Sequence, residues 1–356
     1  MSRKYRVIQW GTGSVGRTAL RRIIDGPAYE LAGVYVTSEA KHGVDAGDLV
    51  KRPRTGIYAT RDLGEILATD ADIVLHTALL SVPYEAQNEA VAEVLASGKN
   101  LISTNGFYRP RVHAENYWRP LENAALTGGV TLAGAGLNPG FVAERLALLG
   151  TGLLADLAEV RCYETFDASR SPSRRLLEAV MGFGTDPDET SLTTSPLADV
   201  YNAYYAETLQ FVAEALNTTV ESITPQHEVT LAPHDIELPA MTIRRGHVAA
   251  TTWRWRGEFA SGASMLHEIL WTSSVDLHPQ LADGGGHWRV EIDGRPNVRM
   301  SLDLSDSDPA IPSSRPAMDA TASVLLGLIP GVVDAEPGFF DLPVLAPFRA
   351  AETIRR

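Results

Sequence analysis

Cysteine is almost missing from this chain: Cys162 is the one cysteine among 356 residues. A single thiol excludes a disulfide within the chain and disfavours a metal site built on cysteine. We therefore expect a protein without a bound metal. Sparse cysteine is also typical of proteins in a reducing compartment, which predicts a cytoplasmic location.

Positive charge and long apolar runs are scarce as well. The chain carries 31 Lys and Arg against 44 Asp and Glu, for a formal net charge of -13. Binding to a phosphate backbone favours an excess of cations, so we expect no nucleic-acid partner. The first residues run into an apolar strand without a signal peptide, and no apolar run reaches the length of a membrane span. We therefore expect no membrane association.

The chain does contain a glycine cluster close to its N-terminus. An apolar run ends in the pattern G-x-G-x-x-G at positions 11–16, and a helical pattern follows it. Gly11 permits a sharp turn, Gly13 lets a pyrophosphate approach the backbone, and Gly16 lets the helix pack closely on the strand. The helix N-terminus then offers free N–H groups to the phosphates. This order of strand, glycine turn and helix predicts a dinucleotide site.

The end of the second strand decides which dinucleotide binds. An acidic side chain there binds the ribose 2′-hydroxyl, whereas a cation accommodates a 2′-phosphate. Residues 37–41 read Thr-Ser-Glu-Ala-Lys, so Ser38 and Lys41 can bind a phosphate, and Arg17 adds a second cation. Glu39 could hold the ribose diol instead, or these charges could simply be solvated. We predict NADP as the cofactor, with NAD as the alternative.

Strand and helix patterns alternate through the first 137 residues, which predicts a doubly wound parallel sheet with ligands beyond the carboxyl ends of its strands. His76, Thr77 and Ala78 follow one such strand, and Thr104 and Asn105 follow another. A histidine at a strand end is often structural, and an Asn-Gly pair suits a simple turn. The residues expected to contact the cofactor are Gly11, Thr12, Gly13, Ser14, Val15, Gly16, Arg17, Ser38, Lys41, His76, Thr77, Ala78, Thr104, Asn138 and Pro139.

A loop of small residues at 134–141 leads out of this region. Asn138, with Pro139 after it, either caps a helix expected from Gly140 to Leu149 or faces a ligand. Further on, several runs alternate like half-exposed strands and are separated by turn signals. They predict a largely antiparallel sheet, and we place Cys162 and His267 in its core.

These patterns together predict an α/β fold with two domains. Residues 1–137 form a Rossmann domain with a doubly wound parallel sheet, and residues 316–356 pack back on it. Residues 138–315 form an α+β domain for substrate binding and dimerisation, with a largely antiparallel sheet.

Several segments, in order along nearly the whole chain, carry a more specific signal. They are Gln9–Gly16, Gly33–Val36 with Asp45–Asp48, Gly134–Phe141, Ser171-Pro172 with Met181–Gly184, and Ile329-Pro330 with Glu336–Gly338. In these segments the chain resembles the NAD(P)-dependent amine dehydrogenases related to 2,4-diaminopentanoate dehydrogenase, within the dihydrodipicolinate reductase-like fold. The resemblance implies a Rossmann domain, a separate sheet-containing domain and a homodimer built through the latter.

One departure from the family pattern concerns the chemistry. In these amine dehydrogenases, an acidic residue for ammonia orientation and proton transfer follows the strand that ends in Ser-Thr. Here Asn105 follows Ser103 and Thr104. An amide can hydrogen-bond a substrate, but it cannot take up a proton as a general base near neutral pH.

We therefore predict an NAD(P)H-dependent oxidoreductase that transfers hydride to or from a C=N or C=O carbon of a small, largely apolar substrate. A reductase of ketones or activated C=C bonds is the alternative, and a non-catalytic dinucleotide sensor is a further one. The expected catalytic residues are Asn105, Tyr163 and Glu164, and the expected substrate pocket contains Phe141, Phe166, Met181 and Phe183.

Overall fold

A computed structural model describes residues 4–187, 196–278, 287–308 and 314–349. The chain forms two compact units and crosses between them after Phe141, after Ala317 and after Pro343. The first unit contains the described residues up to Phe141 together with Met318–Pro343. The second unit contains those of Val142–Ala317 and the described residues from Val344 onward.

Strands and helices alternate in the first unit, and strands dominate the second. The strands are β1 (Tyr5–Trp10), β2 (Tyr29–Tyr35), β3 (Ala59–Thr60), β4 (Ile73–His76), β5 (Asn100–Ser103), β6 (Thr131–Gly134), β7 (Asp156–Asp167), β8 (Val220–Leu231), β9 (Ile236–Glu237), β10 (Thr242–Ile243), β11 (Val248–Phe259), β12 (Ser264–Thr272), β13 (Trp288–Arg295), β14 (Val298–Leu302) and β15 (Gly338–Phe339). The α-helices are α1 (Ser14–Asp25), α2 (Ala46–Val50), α3 (Leu63–Ala68), α4 (Asn88–Ala96), α5 (Glu115–Gly128), α6 (Leu148–Thr151), α7 (Pro196–Ala215) and α8 (Ser314–Val333).

The first unit is built on a parallel sheet in the order β15-β6-β5-β4-β1-β2-β3. Successive residues of a strand point to opposite faces. Ile8 and Val74 accordingly lie in one apolar cluster, while Val7 and Ile73 lie in another. Because both faces are covered, the central strands read as continuous apolar runs. The predicted Rossmann-like sheet is confirmed.

Helix α8 belongs mainly to the first unit and covers one face of its sheet. Its Ala322, Leu325, Ile329 and Val332 are buried in the same cluster as Val7. Within the described residues, the segment Arg315–Val333 is the one helix long and apolar enough to cross a membrane. The prediction that no apolar run reaches that length is therefore wrong. The spacing of the buried residues is nevertheless that of a helix packed on a core.

The second unit contains a sheet in the order β14-β13-β7-β12-β11-β8. Its neighbouring strands are antiparallel, apart from β7 and β12, which run parallel. Helix α7 packs on one face, where Tyr201 lies edge-on against Trp253 and Tyr205 stacks on Trp255. The largely antiparallel second sheet is confirmed.

The domain boundaries differ from the predicted ones. The first unit continues to Phe141 rather than to residue 137. After α8 the chain still pairs β15 with β6, but from Val344 it groups with the second unit. There the Phe348 N–H donates to Thr151 Oγ1 at 3.0 Å. The prediction that all of 316–356 packs on the Rossmann domain is thus wrong beyond Pro343, and residues 350–356 lie outside the described residues.

Candidate cofactor site and active site

The glycine loop leaves β1 through glycines that differ in their steric surroundings. Gly11 has a φ of +91°, and a Cβ there would lie 2.8 Å from the Thr77 carbonyl oxygen. A Cβ on Gly16 would lie 2.1 Å from the Gly11 carbonyl oxygen. A Cβ on Gly13 would meet no atom of the described residues within 4 Å. Gly11 and Gly16 therefore shape the loop, while Gly13 faces the open space that a pyrophosphate needs.

Buried side chains hold this loop from beneath. Gln9 Nε2 donates to the Gly11 carbonyl oxygen at 2.9 Å and to Thr77 Oγ1 at 2.8 Å. Thr77 Oγ1 in turn donates to the Trp10 carbonyl oxygen at 3.0 Å. The side chain of Thr77, predicted to contact the cofactor, is thus buried under the loop and supports it. Sequence analysis missed the role of Gln9, whose signal was one amide within an apolar strand.

The N-terminus of α1 follows the loop directly. Gly13 is its N-cap, and the Arg17 N–H donates to the Gly13 carbonyl oxygen at 2.9 Å. The N–H groups of Ser14, Val15 and Gly16 precede this bond, where an α-helix has no internal acceptors to offer. Together with the positive end of the helix dipole, these N–H groups favour an anion at the loop.

Charged side chains surround the end of β2. Lys41 Nζ donates to the carbonyl oxygen of Thr12 at 3.0 Å and to its Oγ1 at 2.9 Å, which holds the ammonium beside the glycine loop. Burial lowers the pKa of Lys41, and the nearby positive charge of Arg17 lowers it further. Glu39 instead forms an ion pair with Arg61, which follows β3. Two cations thus lie close together near the loop, while the acidic side chain is neutralised by a third.

His76 is fully buried at the end of β4. Its Nδ1 lies 2.9 Å from Ser103 Oγ at the end of β5, and its ring packs edge-on against Trp10 at 5.3 Å. Burial lowers its pKa to about 4, although the Gln87 side chain opposes part of this shift. The side chain is therefore neutral near pH 7 and joins two strands. The prediction that it contacts the cofactor is wrong for the side chain, because neighbouring groups enclose it.

Asn105 follows β5 and is only 9% exposed. Its Nδ2 donates to the Leu79 carbonyl oxygen at 3.1 Å, and its Oδ1 accepts from Thr104 Oγ1 at 3.4 Å. Its backbone N–H donates to Ser103 Oγ at 2.9 Å. The amide predicted to bind substrate is thus bonded to the loop that follows β4. Ala78 and Thr104, also predicted to contact the cofactor, are half-buried at the same strand ends.

The loop at 134–141 packs backbone against backbone. Gly140 has a φ of +117°, and a Cβ there would lie 2.4 Å from the Gly136 backbone nitrogen. Tyr108 OH donates to the carbonyl oxygen of Pro139 at 2.9 Å. The following helix begins with a π-helical segment at Val142, not at Gly140, and continues into α6. The expectation that Asn138 caps this helix is therefore wrong, since the intervening residues form a turn.

Tyr163 and Glu164 are adjacent on β7 and therefore point to opposite faces of the sheet. Arg289 stacks over the Tyr163 ring at 4.5 Å, and burial raises the pKa of this phenol. On the other face, Trp288 Nε1 donates to Glu164 Oε2 at 2.9 Å. Side chains on opposite faces cannot both contact one substrate atom, so the two residues remain alternative candidates for a proton donor.

The apolar residues predicted to line a substrate pocket have different surroundings. Phe183 is fully buried, since Gly182 and Gly184, both with positive φ, turn the chain around it. Met181 is nearly buried as well. These two residues belong to the core, which corrects their assignment to the pocket. Phe141 in the first unit and Phe166 in the second remain half-exposed.

Polar groups are also buried in the core of the second unit. Cys162 and His267 lie there, as predicted, and pair across β7 and β12. Burial raises the pKa of the Cys162 thiol and lowers the pKa of His267 to about 3. Glu144, which sequence analysis did not single out, is fully buried and accepts from Thr208 Oγ1 at 2.9 Å. Among the residues that the structure describes, no group of three His, Cys, Asp or Glu could hold a metal ion.

Comparison with known proteins bears on the family resemblance. No protein-family model matches the chain. It is 27% identical over 359 residues to an amine dehydrogenase of Streptomyces virginiae, with 94% of each chain covered. It is 22% identical over 352 residues to the 2,4-diaminopentanoate dehydrogenase of Acetoanaerobium sticklandii, covering 96% of this chain and 94% of the relative. The predicted resemblance is confirmed.

Solved structures show the same fold. An amine dehydrogenase from Mycobacterium smegmatis superposes with a TM-score of 0.72 at 20% identity, covering 99% of this chain and 97% of that one. A scyllo-inositol dehydrogenase from Lactobacillus casei, solved with bound NAD(H) and scyllo-inositol, gives a TM-score of 0.55 at 12% identity, with 92% and 90% covered. At these identities the likeness shows a shared fold.

Proposed function

We propose that this chain, which is similar to amine dehydrogenases, is an NAD(P)-dependent oxidoreductase that transfers hydride to or from a C=N or C=O carbon of a small, largely apolar substrate. The bound cofactor supplies or accepts the hydride. The observation that carries the proposal is the glycine loop, where open space at Gly13 adjoins the N-terminus of α1. Ser14, Val15 and Gly16 would donate backbone hydrogen bonds to the pyrophosphate.

We propose NADP as the preferred cofactor. Lys41 and Arg17 would neutralise a 2′-phosphate, and the exposed Ser38 hydroxyl would donate to it. The ion pair between Glu39 and Arg61 supports this choice, because a carboxylate already paired is a poorer acceptor for a ribose diol. NAD remains the alternative.

The residues around Asn105 favour a substrate that needs no general base at this position. The Asn105 amide carries no titratable proton, and one of its two Nδ2 hydrogens is already donated to the Leu79 carbonyl oxygen. Reduction of a preformed imine or a ketone requires a proton donor but no base to deprotonate ammonia. We therefore propose imine or ketone reduction ahead of ammonia-dependent amination, with reduction of activated C=C bonds as the alternative.

We also propose a homodimer formed through the second unit and a cytoplasmic location. The dimer rests on the resemblance to the amine dehydrogenases, and the location rests on the single cysteine. Light scattering coupled to gel filtration tests the dimer: twice the chain mass of 38.5 kDa is expected. A monomer at micromolar concentration would contradict it.

The catalytic proposal is tested by following NADPH and NADH oxidation with hydrophobic aldehydes, ketones, cyclic imines and enones, each with and without ammonia. We expect ammonia-independent turnover of imines or ketones that is faster with NADPH. Turnover that requires ammonia would instead indicate amine dehydrogenase chemistry with another proton-transfer group. Tight cofactor binding without turnover of any compound would contradict the catalytic proposal and favour a sensor.

A further inference from the structure

We propose that Asn105 and Gln87 are positioning residues that hold the loop of residues 79–83 at the strand ends, where Leu79 and Val82 contact the apolar part of the substrate. The inference rests on the proposed function for the identity of the ligand. The role of the two amides in holding the loop stands on geometry alone. It gives Asn105 a task other than acid–base chemistry.

Both amides bond the same acceptor. Asn105 Nδ2 donates to the Leu79 carbonyl oxygen at 3.1 Å, and Gln87 Nε2 donates to it at 2.8 Å. A carbonyl oxygen has two lone pairs, so the two donors satisfy it completely. The backbone of the loop is thereby fixed at Leu79, directly after β4.

The two donors are themselves held in place. The Asn105 N–H donates to Ser103 Oγ at 2.9 Å, and this hydroxyl also contacts the buried His76 ring. Gln87 ends the short 3-10 helix Tyr84–Gln87 and reaches toward His76 as well. A chain of neutral polar groups thus runs from the buried strand ends to the loop.

The side chains that this loop presents are apolar and exposed. Leu79 is 52% exposed and Val82 is 54% exposed. They follow the carboxyl end of β4, and ligands of open parallel sheets bind beyond the carboxyl ends of the strands. Met181 and Phe183, the apolar residues nominated from sequence, are buried in the core of the second unit and cannot provide this contact. Phe141 and Phe166 remain half-exposed. We assign Leu79 and Val82 to an apolar substrate group because they lie on the loop that the two amides hold.

The arrangement also explains why residue 105 is an amide. A carboxylate at this position could not donate to the Leu79 oxygen and would place a negative charge against a carbonyl dipole. Placing the acidic residue of the amine dehydrogenases at position 105 would therefore remove one of the two donors that hold the loop. Gln87→Glu removes the second donor in the same way, which provides a matched variant outside the family motif.

The experiment combines hydrogen exchange with kinetics on wild type, Asn105→Asp, Gln87→Glu and Leu79→Ala. Exchange in the peptide spanning residues 79–87 is measured on the protein without ligand, so this readout does not depend on the reaction. We expect faster exchange in both amide variants. With the best substrate of the panel, we expect KM to rise about 3- to 10-fold in the two amide variants, the range of one lost hydrogen bond. We expect a rise of similar size, about 3- to 10-fold, in Leu79→Ala, which removes apolar area from the contact. We expect kcat to change by less than about 2-fold. Leu126→Ala, a leucine 56% exposed on α5, is the control and should change neither readout.

Several outcomes would overturn the inference. A fall in kcat of about 100-fold in Asn105→Asp, with Gln87→Glu unchanged, would make Asn105 a catalytic residue. Unchanged exchange in both amide variants would show that the amides do not hold the loop. If exchange is faster in the amide variants but Leu79→Ala leaves KM unchanged, Leu79 does not contact the substrate. If no compound turns over in wild type, the proposed function fails, whereas the exchange measurement still decides the role of the amides.

Discussion

In the first unit, the residues at the carboxyl ends of β1, β2 and β3 differ in chemistry from those at the carboxyl ends of β4 and β5. Beside β1, β2 and β3, the backbone N–H groups at Gly13 and the cations Arg17 and Lys41 form an open, positive region. Beside β4 and β5, His76 and Asn105 are neutral and bonded to neighbouring groups. The first side is arranged to receive an anion, whereas the polar groups of the second mainly hold one another in place.

This difference separates cofactor binding from substrate chemistry. A pyrophosphate is recognised mainly by backbone geometry, which glycines encode directly. Substrate chemistry depends on individual side chains, and the Asn105 amide cannot act as a general base, whereas a carboxylate can. The fold therefore follows from the relatives more securely than the reaction does.

Gly16→Val should disrupt the glycine loop, and with it the positive region beside β1, β2 and β3. Its side chain would collide with the Gly11 carbonyl oxygen, which lies 2.1 Å from the position of a Cβ. We expect a loss of about 3 kcal/mol in the free energy of unfolding and no measurable binding of NADPH. Chemical denaturation and fluorescence titration measure both. Gly327→Ala, a helical glycine with open space around its Cβ, should leave both nearly unchanged, and equal effects of the two variants would contradict this account.

The pH dependence of the free energy of unfolding tests whether the buried His76 side chain is neutral. The pKa of His76 is lowered from 6.5 to about 4 in the folded chain, so the unfolded chain binds more protons between these values. Stability should therefore fall as the pH decreases from about 6.5 toward 4, by roughly 2 kcal/mol at about pH 5 from this residue. Removing His76 should flatten that part of the curve. Denaturation of wild type and His76→Gln over this range measures it.

A matched variant makes this pH experiment specific. His42→Gln, the same substitution at an exposed histidine, is measured beside it. Identical slopes for wild type and His76→Gln would show that His76 is not buried as a neutral ring.

Lys41→Met removes one of the two cations beside the glycine loop and so tests which phosphate Lys41 binds. We expect NADPH to bind about 10-fold more weakly, as for the loss of a charge-assisted hydrogen bond, and NADH to change by less than about 3-fold. Titration by calorimetry gives both dissociation constants. Arg54→Met, whose guanidinium pairs with Asp48 elsewhere in the unit, is the control. Equal losses for the two cofactors would place Lys41 at the pyrophosphate rather than at a 2′-phosphate.

Arg61→Ala should produce the smallest effect. It frees Glu39, which could then accept from a ribose diol. We expect NADH affinity to rise by about 2- to 3-fold, since exposed ion pairs are weak. The gain should disappear in the double variant with Glu39→Gln. An equal gain in the double variant would show that Glu39 has no part in it.

The fold and the glycine loop were predictable because they depend on local patterns. Apolar periodicity identified the parallel sheet, and the steric demands at Gly11 and Gly16 follow from their positions in the motif. Sequence analysis predicts a helix from Met318 to Leu328 but not the full length of α8, because Pro330 lies inside a helix that proline would ordinarily end.

The substrate side was harder to predict because it depends on side-chain direction. An error of one residue on β7 moves a side chain to the other face, so Tyr163 and Glu164 could not be ranked from sequence. An apolar side chain such as Phe183 suits a substrate pocket and a protein core equally well. The backbone turn at Gly182 and Gly184, both with positive φ, accompanies its burial in the core. The bond between Asn105 and Leu79 joins residues far apart in the chain, which no local pattern reports.

The most direct measurement of the central claim is the dissociation constant of NADPH for wild type and Gly13→Ala. A Cβ at this position meets no described atom, so folding should be unaffected and the two melting temperatures should agree. The added methyl group would occupy the space assigned to the pyrophosphate, and we expect binding to weaken by about 10-fold or more. Equal affinity in the two proteins, or no binding to wild type, would contradict the claim that this loop is the cofactor site.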